Sequence, residues 1–213
     1  MCLAQFFGNK SPFDILVAVV ALLTGAYTFY KSFLERAKLS LYPGDRLGLV
    51  VSTGGGSRKL HLRANLVNHA VKAGTLHRLE AEITDPTGAT HRYQWKLFFE
   101  YLSGAQAVQP KSDPYPISVA GKTSQLLLTE LEIVSTQPSP TWPSGKYRVE
   151  VMGWINRANR NESPNLKAKP FHFEISTVQS QQIVASSATQ ESLVEVPIDE
   201  WSVKPSAAPA SVG

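Results

Sequence analysis

The sequence predicts an all-β domain, a sandwich of seven or eight antiparallel strands, preceded by one N-terminal transmembrane helix. Three observations carry this reading. One uncharged apolar run extends from Ile15 to Tyr30. From Lys38 to about Thr177, apolar residues alternate with a period of two between clusters of Gly, Pro, Asn and Asp. Hardly any helical periodicity of 3.6 fits between those clusters.

The helix comes first. Ser11-Pro12-Phe13-Asp14 reads as its start, with Ser11 as N-cap, Pro12 in the first turn and Asp14 completing an S-x-x-D capping box. The uncharged stretch alone is about 24 Å long at 1.5 Å per residue, and Pro12 to Leu34 is about 34 Å, against a hydrocarbon core of ~30 Å. Residues 12–36 are therefore taken as a signal anchor, following a short tail of residues 1–11. Tyr27, Phe29, Tyr30 and Phe33 form an aromatic exit at the membrane interface, and Lys31 and Arg36 reach the headgroups beside them. Two alternatives stay open. Thr24-Gly25-Ala26 suits a signal-peptide cleavage site near Ala26, and a run apolar on all faces also suits a buried core helix. Lys10 lies on the N-terminal side, whereas Lys31, Arg36, Lys38 and Arg46 follow the helix. The positive-inside bias thus favours a cytoplasmic C-terminal domain.

The strands follow in order. "KLSLY" and "RLGLVVS" flank a Pro43-Gly44 turn. "TGGGS" connects to "KLHLRANLV", with Leu60, Leu62, Ala64 and Leu66 on one face. "TLHRLEAEIT" runs into the Asp85-Pro86-Thr87-Gly88 turn. In "THRYQWKLFFEY", Tyr93, Trp95, Leu97 and Phe99 are expected on the core face. "SQLLLTELEIV", "KYRVEVMGWI" and "PFHFEIS" complete the set, which places the domain at residues 38–177.

Within that domain, "LVNHAVKAGTLHRLEAEITDPTG" resembles the N-x-G … I-x-L-x-P-x-G pattern of bacterial immunoglobulin-like adhesion and scaffold modules, with Asn68, Gly74, Pro86 and Gly88 in matching roles. Trp95 lies mid-strand, where such domains often bury a tryptophan. "PSGKYRVEV" resembles the corner entering the penultimate strand, with Tyr147 as corner tyrosine and Val149 where antibody domains place a cysteine. The resemblance implies an immunoglobulin-like sandwich without its disulfide. The chain has one cysteine, Cys2, so neither an internal disulfide nor a cysteine metal site can form. Fold alone gives no function.

Candidate chemistry is sparse. Gly121-Lys122-Thr123 resembles the end of a phosphate-binding loop, but position 116 is Pro where that loop needs glycine, so a hairpin turn is expected. "STGGGSRK" reads as a hairpin connection. The five histidines (His61, His69, His77, His91 and His172) show no ligand-pair spacing, and most alternate with apolar residues, which places them on solvent faces of strands. No cofactor, metal or catalytic residue is assigned. Net charge is +4, and its basic residues are scattered, which gives no nucleic-acid signature.

Residues 178–213 read as a disordered tail rich in Ser, Ala, Gln and Val. Inside it, 191–201 concentrates Leu193, Val194, Val196, Ile198 and Trp201, a segment suited to adding a strand to a partner sheet or docking back on its own domain. Together these features predict a single-pass membrane protein presenting a non-catalytic binding or scaffolding domain to another membrane or membrane-associated protein. A secreted or periplasmic module released near Ala26 and a membrane-attached enzyme are the alternatives.

Overall fold

The computed structural model describes residues 11–31, 35–52, 56–101, 108–138, 140–156, 162–186 and 192–199. Phe33, Trp201 and the 53–55 turn lie outside these.

Helix α1 is Pro12–Phe29. The capping box forms as expected: the Asp14 N–H donates to Ser11 Oγ at 3.2 Å, and the Ser11 N–H donates to Asp14 Oδ2 at 3.1 Å. None of its residues is buried. It is long and apolar enough, by length and composition, to cross a membrane.

Eleven strands follow: β1 Leu39–Ser52, β2 Gly56–Asn68, β3 Gly74–Thr84, β4 Thr90–Tyr101, β5 Val108–Ser112, β6 Ile117–Val119, β7 Ser124–Ile133, β8 Gly145–Ile155, β9 Leu166–Lys167, β10 Phe171–Ile175 and β11 Ser192–Pro197, with helix α2 at Thr177–Ser186 between the last two. Among the described residues the number exceeds the expected seven or eight, although the expected Pro43-Gly44 turn is only a register shift inside the single strand β1: the proline-rich segment contributes β5 and β6, residues 166–167 contribute β9, and the tail contributes β11.

All pairings are antiparallel, and the strands form one hydrogen-bonded path, β10-β8-β3-β4-β7-β2-β1-β11. Strand β4 turns the corner. Its first half, Thr90 to Gln94, pairs with β3, and Tyr93 to Phe98 pairs with β7. The two ends of the path also meet. Phe173 bridges Ile198, and the Asp199 N–H donates to the His172 carbonyl at 2.8 Å. The sheet thus wraps around a single core of Leu49, Leu60, Leu66, Leu79, Ile83, Tyr93 and Phe173, each fully buried.

Two core expectations need correction. Trp95 packs against the core as expected but is only partly buried, whereas Leu97 is partly buried without joining it and Phe99 is buried outside it. A register shift between Trp95 and Leu97 is the cause for the last two, because an extra residue reverses the alternation after Trp95 and sends Phe98 toward the core instead. Among the described residues the most deeply buried tryptophan is Trp142, packed on Tyr147 at 5.3 Å and near Phe173 at 6.2 Å. The Tyr147 hydroxyl donates to the Pro143 carbonyl at 2.6 Å.

The tail also departs from expectation. Residues 177–186 are helical, and 192–197 form a strand, so the disordered reading of 178–213 fails for both. Ser176 and Gln179 make a second reciprocal cap, with the Gln179 N–H on Ser176 Oγ and the Ser176 N–H on Gln179 Oε1. Ile183 is buried, and the Ser180 hydroxyl bonds the Trp142 carbonyl at 2.9 Å. The helix closes the core over Trp142.

Several motif residues hold turns. Asn68 is buried; its amide donates to the Lys72 and Val119 carbonyls, and its oxygen accepts from the Ala70 N–H. Asp85 Oδ1 accepts from the Thr87 and Ala89 N–H groups, and Gly88 adopts φ +89° in the same turn. Gly121-Lys122 turns between β6 and β7, which are not neighbours, so the turn is a connection and not a hairpin.

Candidate functional site

The outer face of β11, β1, β2 and β7 carries the densest polar chemistry. Alternation sends Leu47, Leu49 and Val51 of β1 and Leu60, Leu62 and Ala64 of β2 inward. The intervening positions point outward and fall in rows across the sheet. One row is Glu195, Gly48, His61 and Glu130, contributed by the four strands in turn. Its neighbour is Leu193, Val50, Lys59 and Glu132.

His61 is only 9% exposed and Glu130 only 6%, although both point away from the core. Phe99 explains this. It stacks on the imidazole with ring centroids 4.4 Å apart and is itself buried. His61 lies on the outer face, as alternation expects of most of the histidines, but it is covered there because the β4 register shift delivers an aromatic ring to that face.

His61 Nε2 lies 3.1 Å from Glu130 Oε2, and Lys59 Nζ lies 3.4 Å from Glu130 Oε1. Burial pushes the Glu130 carboxyl up, but the hydrogen bond from His61 and the charge of Lys59 outweigh it and hold the carboxyl below its usual range. Glu130 is then a carboxylate and can only accept, so Nε2 is the donor. The Nδ1 atom of His61 is buried without a hydrogen-bond partner among the described residues.

Beside this pair lies a cavity of about 300 Å³, lined by Asp45, Arg46, Gly48, His61, Arg63 and Glu195. Arg46 and Glu195 are paired at 3.1 Å across β1 and β11. Gly48 forms the floor. A Cβ there would lie 2.9 Å from Leu193 Cδ1 and 3.0 Å from His61 Cβ, so any larger residue must displace one of them. The arrangement offers two guanidinium groups, two carboxylates and an oriented imidazole around a backbone floor. Such a set suits recognition of a small polar or zwitterionic group.

The sequence-predicted residues fall as follows. Val194, Val196 and Ile198 of the 191–201 segment pack inward as β11 and its extension, Val196 completely buried opposite Leu47. Leu193 points outward over Gly48. At the helix exit, Tyr27, Phe29 and Tyr30 are exposed, Lys31 pairs with Glu35 at 2.8 Å and lies 5.9 Å from the Tyr27 ring, and Arg36 is exposed. Neither group contributes to the cavity except through β11. The cavity itself was not legible, because its members come from three strands and become neighbours only through register. Among the described residues, no group of three or more His, Cys, Asp or Glu could hold a metal.

A second buried carboxylate is structural in kind. Glu80 on β3 is fully buried; Arg92 Nε donates to it at 2.7 Å, and Arg78 bonds its other oxygen while stacking on Trp154 at 4.5 Å.

No protein-family model matches the chain, and no curated protein does. Among solved structures it is similar to Spo0M, sporulation control protein, from Bacillus subtilis. The identity is 7% and the TM-score 0.28, over 67% of this chain and 49% of that one, so the chain spans about half the length of that protein. A likeness that weak says nothing of function.

Proposed function

We propose that the chain is a single-pass membrane protein that presents its β domain at the membrane face as a binding or scaffolding module. One observation carries the proposal. Helix α1 spans eighteen mostly apolar residues without a single buried side chain, in a protein whose strands bury their inward apolar side chains thoroughly. Exposing such a helix to water is costly, at ~25 cal/mol per Å² of apolar surface, and a bilayer removes that cost. The lysine and arginine excess after the helix supports a cytoplasmic domain. The cavity on β1, β2 and β11 is the surface we assign to a partner.

An immunoglobulin-like architecture is the finer reading of the domain. The Tyr147 hydroxyl, bonded to a carbonyl four residues upstream, supports it, since a tyrosine corner makes that bond. The corner strand β4 and the meeting of β10 with β11 give a more continuous sheet than two separate layers.

Alkaline extraction of membranes tests the anchor. The full-length chain is expected in the pellet, and a Val20→Arg/Leu23→Arg variant in the supernatant. Release of the unmodified chain, or a mature N-terminus at Tyr27, would refute it. For the binding role, the proteins co-purifying with the solubilised full chain should be lost from Gly48→Trp, which fills the cavity. An unchanged set would remove the cavity from the proposal.

A further inference from the structure

Strand β1 is irregular beside the β1–β2–β11 cavity. Pro43 lies opposite Ala64 and Leu47 opposite Leu62, so Gly44, Asp45 and Arg46 stand where β2 supplies Arg63 alone. A bulge of this kind re-aims side chains that a regular ladder sends to alternate faces. Here Asp45, Arg46 and Arg63 all line the cavity, together with Gly48, His61 and Glu195. The bulge is pinned on both sides. The Ile198 N–H donates to the Asp45 carbonyl at 2.9 Å, and Gly44 packs on Arg63, where a Cβ would lie 3.2 Å from the Arg63 carbonyl oxygen.

The charges of the cavity are unequally satisfied. Arg46 and Glu195 neutralise each other at 3.1 Å. Asp45 and Arg63 are exposed, and among the described residues neither side chain has an ion-pair or hydrogen-bond partner; they are not paired with each other either. One unpaired surface charge is ordinary, because water solvates it. Two of opposite sign, lining one cavity of about 300 Å³, are complementary to a ligand that carries both charges.

The balance of signs disfavours simple ions. An anion drawn to Arg63 meets the carboxylates of Asp45 and Glu195, and a cation drawn to Asp45 meets two guanidinium groups. A zwitterion pairs with both free groups and leaves the Arg46–Glu195 bridge intact. The volume sets the size of that zwitterion. It lies at the lower end of small-molecule sites and is several times the ~30 Å³ share of one water molecule. The surround is fixed: His61, held by Glu130 at 3.1 Å and stacked on Phe99, forms a wall, and Gly48 forms the floor.

We infer that the cavity binds a free amino acid, with its carboxylate on the Arg63 guanidinium and its ammonium on the Asp45 carboxylate. The inference deepens the binding role proposed above and rests on the same cavity, though not on the membrane anchor. The loaded cavity is then the surface that a protein partner reads. Each of the two contacts is a charge-assisted hydrogen bond, so loss of either weakens binding about tenfold or more.

Thermal unfolding of the full-length chain in detergent, with the common L-amino acids added one at a time, tests this. At about tenfold above its Kd, the amino acid that fits should raise Tm by about 3–6 °C. Titration calorimetry then compares it with its N-acetyl and carboxamide derivatives, each of which should bind about tenfold or more weakly. Arg63→Gln should weaken the amino acid to the same degree and leave the carboxamide unaffected. Asp45→Asn should do so and leave the N-acetyl derivative unaffected. Both side chains are exposed, so the ligand-free variants should melt with the unmodified chain. No rise in Tm with any amino acid would overturn the inference, as would a derivative that binds as tightly as its parent, or a Kd unchanged in either variant. If these results held while Gly48→Trp kept every co-purifying protein, the partner role would fall and the ligand site would stand. Loss of those proteins from Gly48→Trp without any amino-acid binding would mean the reverse.

Discussion

The closure of the sheet by its own C-terminal strand makes a sharp prediction. Val196 is completely buried on β11, opposite Leu47, in a segment that composition alone places in a disordered tail. Replacing Val196 by Ala removes two buried carbons. At ~0.8 kcal/mol for each, with a further contribution from the cavity left behind, the loss is about 2 kcal/mol. For a chain of 213 residues each kcal/mol lowers Tm by roughly 2–4 °C, so V196A should melt about 4–8 °C lower. Leu193 shares the strand but points outward and is half-buried, so L193A should cost under about 1 kcal/mol. The assay is thermal unfolding of the full chain in detergent, followed by near-ultraviolet circular dichroism, which reports the buried Trp142 cluster. If V196A melted within about 1 °C of the unmodified chain while Leu47→Ala, its β1 counterpart, fell by the expected core amount, β11 would not be part of the folded sheet.

Other substitutions probe the polar clusters and turns. Glu80→Ala leaves the Arg78 and Arg92 guanidinium groups without their buried carboxylate and should destabilise by about 3 kcal/mol in denaturant titration, a large cost for one residue. Glu130→Gln should flatten the acid limb of stability: the native carboxyl is held below its unfolded value, so its contribution is present above about pH 4.3 and disappears as pH falls through the lowered native value. Asp85→Asn should act in the same direction. Burial opposes ionisation there, but the Thr87 hydroxyl and the Ala89 and Thr87 N–H groups prevail and lower the native carboxyl; unfolding midpoints measured between neutrality and acid pH read both variants. Gly121→Ala would place a Cβ 1.6 Å from the Val71 carbonyl oxygen and should destabilise by about 3 kcal/mol or reduce the folded yield; an unaltered midpoint would mean that the 69–73 and 120–123 turns are not packed together.

The parts of the fold visible in the sequence were those set by local rules. Ser11 and Asp14 mark a helix start because a capping box needs only residues three apart. Leu60, Leu62, Ala64 and Leu66 declare a strand because pleating repeats every two residues. Asp85 and Gly88 declare a turn for the same local reason. What was hidden depends on register. The shift at Trp95–Leu97 carries no composition signature, yet it decides that Phe98 and not Leu97 turns to the core, and that Phe99 covers His61. The Ser176–Gln179 cap was written in the sequence, but a helix of ten residues beside a polar tail has little apolar periodicity to announce it. The order of β11 comes from pairing with β1, an interaction about 150 residues away, which no local pattern reports.

The candidate cavity shows why such sites escape sequence reading and also why they are specific. Gly48 alone reads as an incidental residue in a leucine-rich strand. Paired between His61 and Glu195, it becomes the one position in its row without a side chain, and the missing volume lies between Arg46 and Arg63. Leu193 reaches over it only because β11 closes the sheet. Site and closure are thereby coupled: loosening β11 removes Glu195, the acidic partner of Arg46, and lifts Leu193 off Gly48 together. A variant that detaches β11, such as Val196→Asp, should therefore lose cavity-dependent partners before the rest of the core melts, with faster amide exchange in β1 from Arg46 to Val51 as the first sign. Partner loss only at global unfolding, with those β1 amides exchanging as slowly as the amides of β3, would show that strand and site are not coupled in this way.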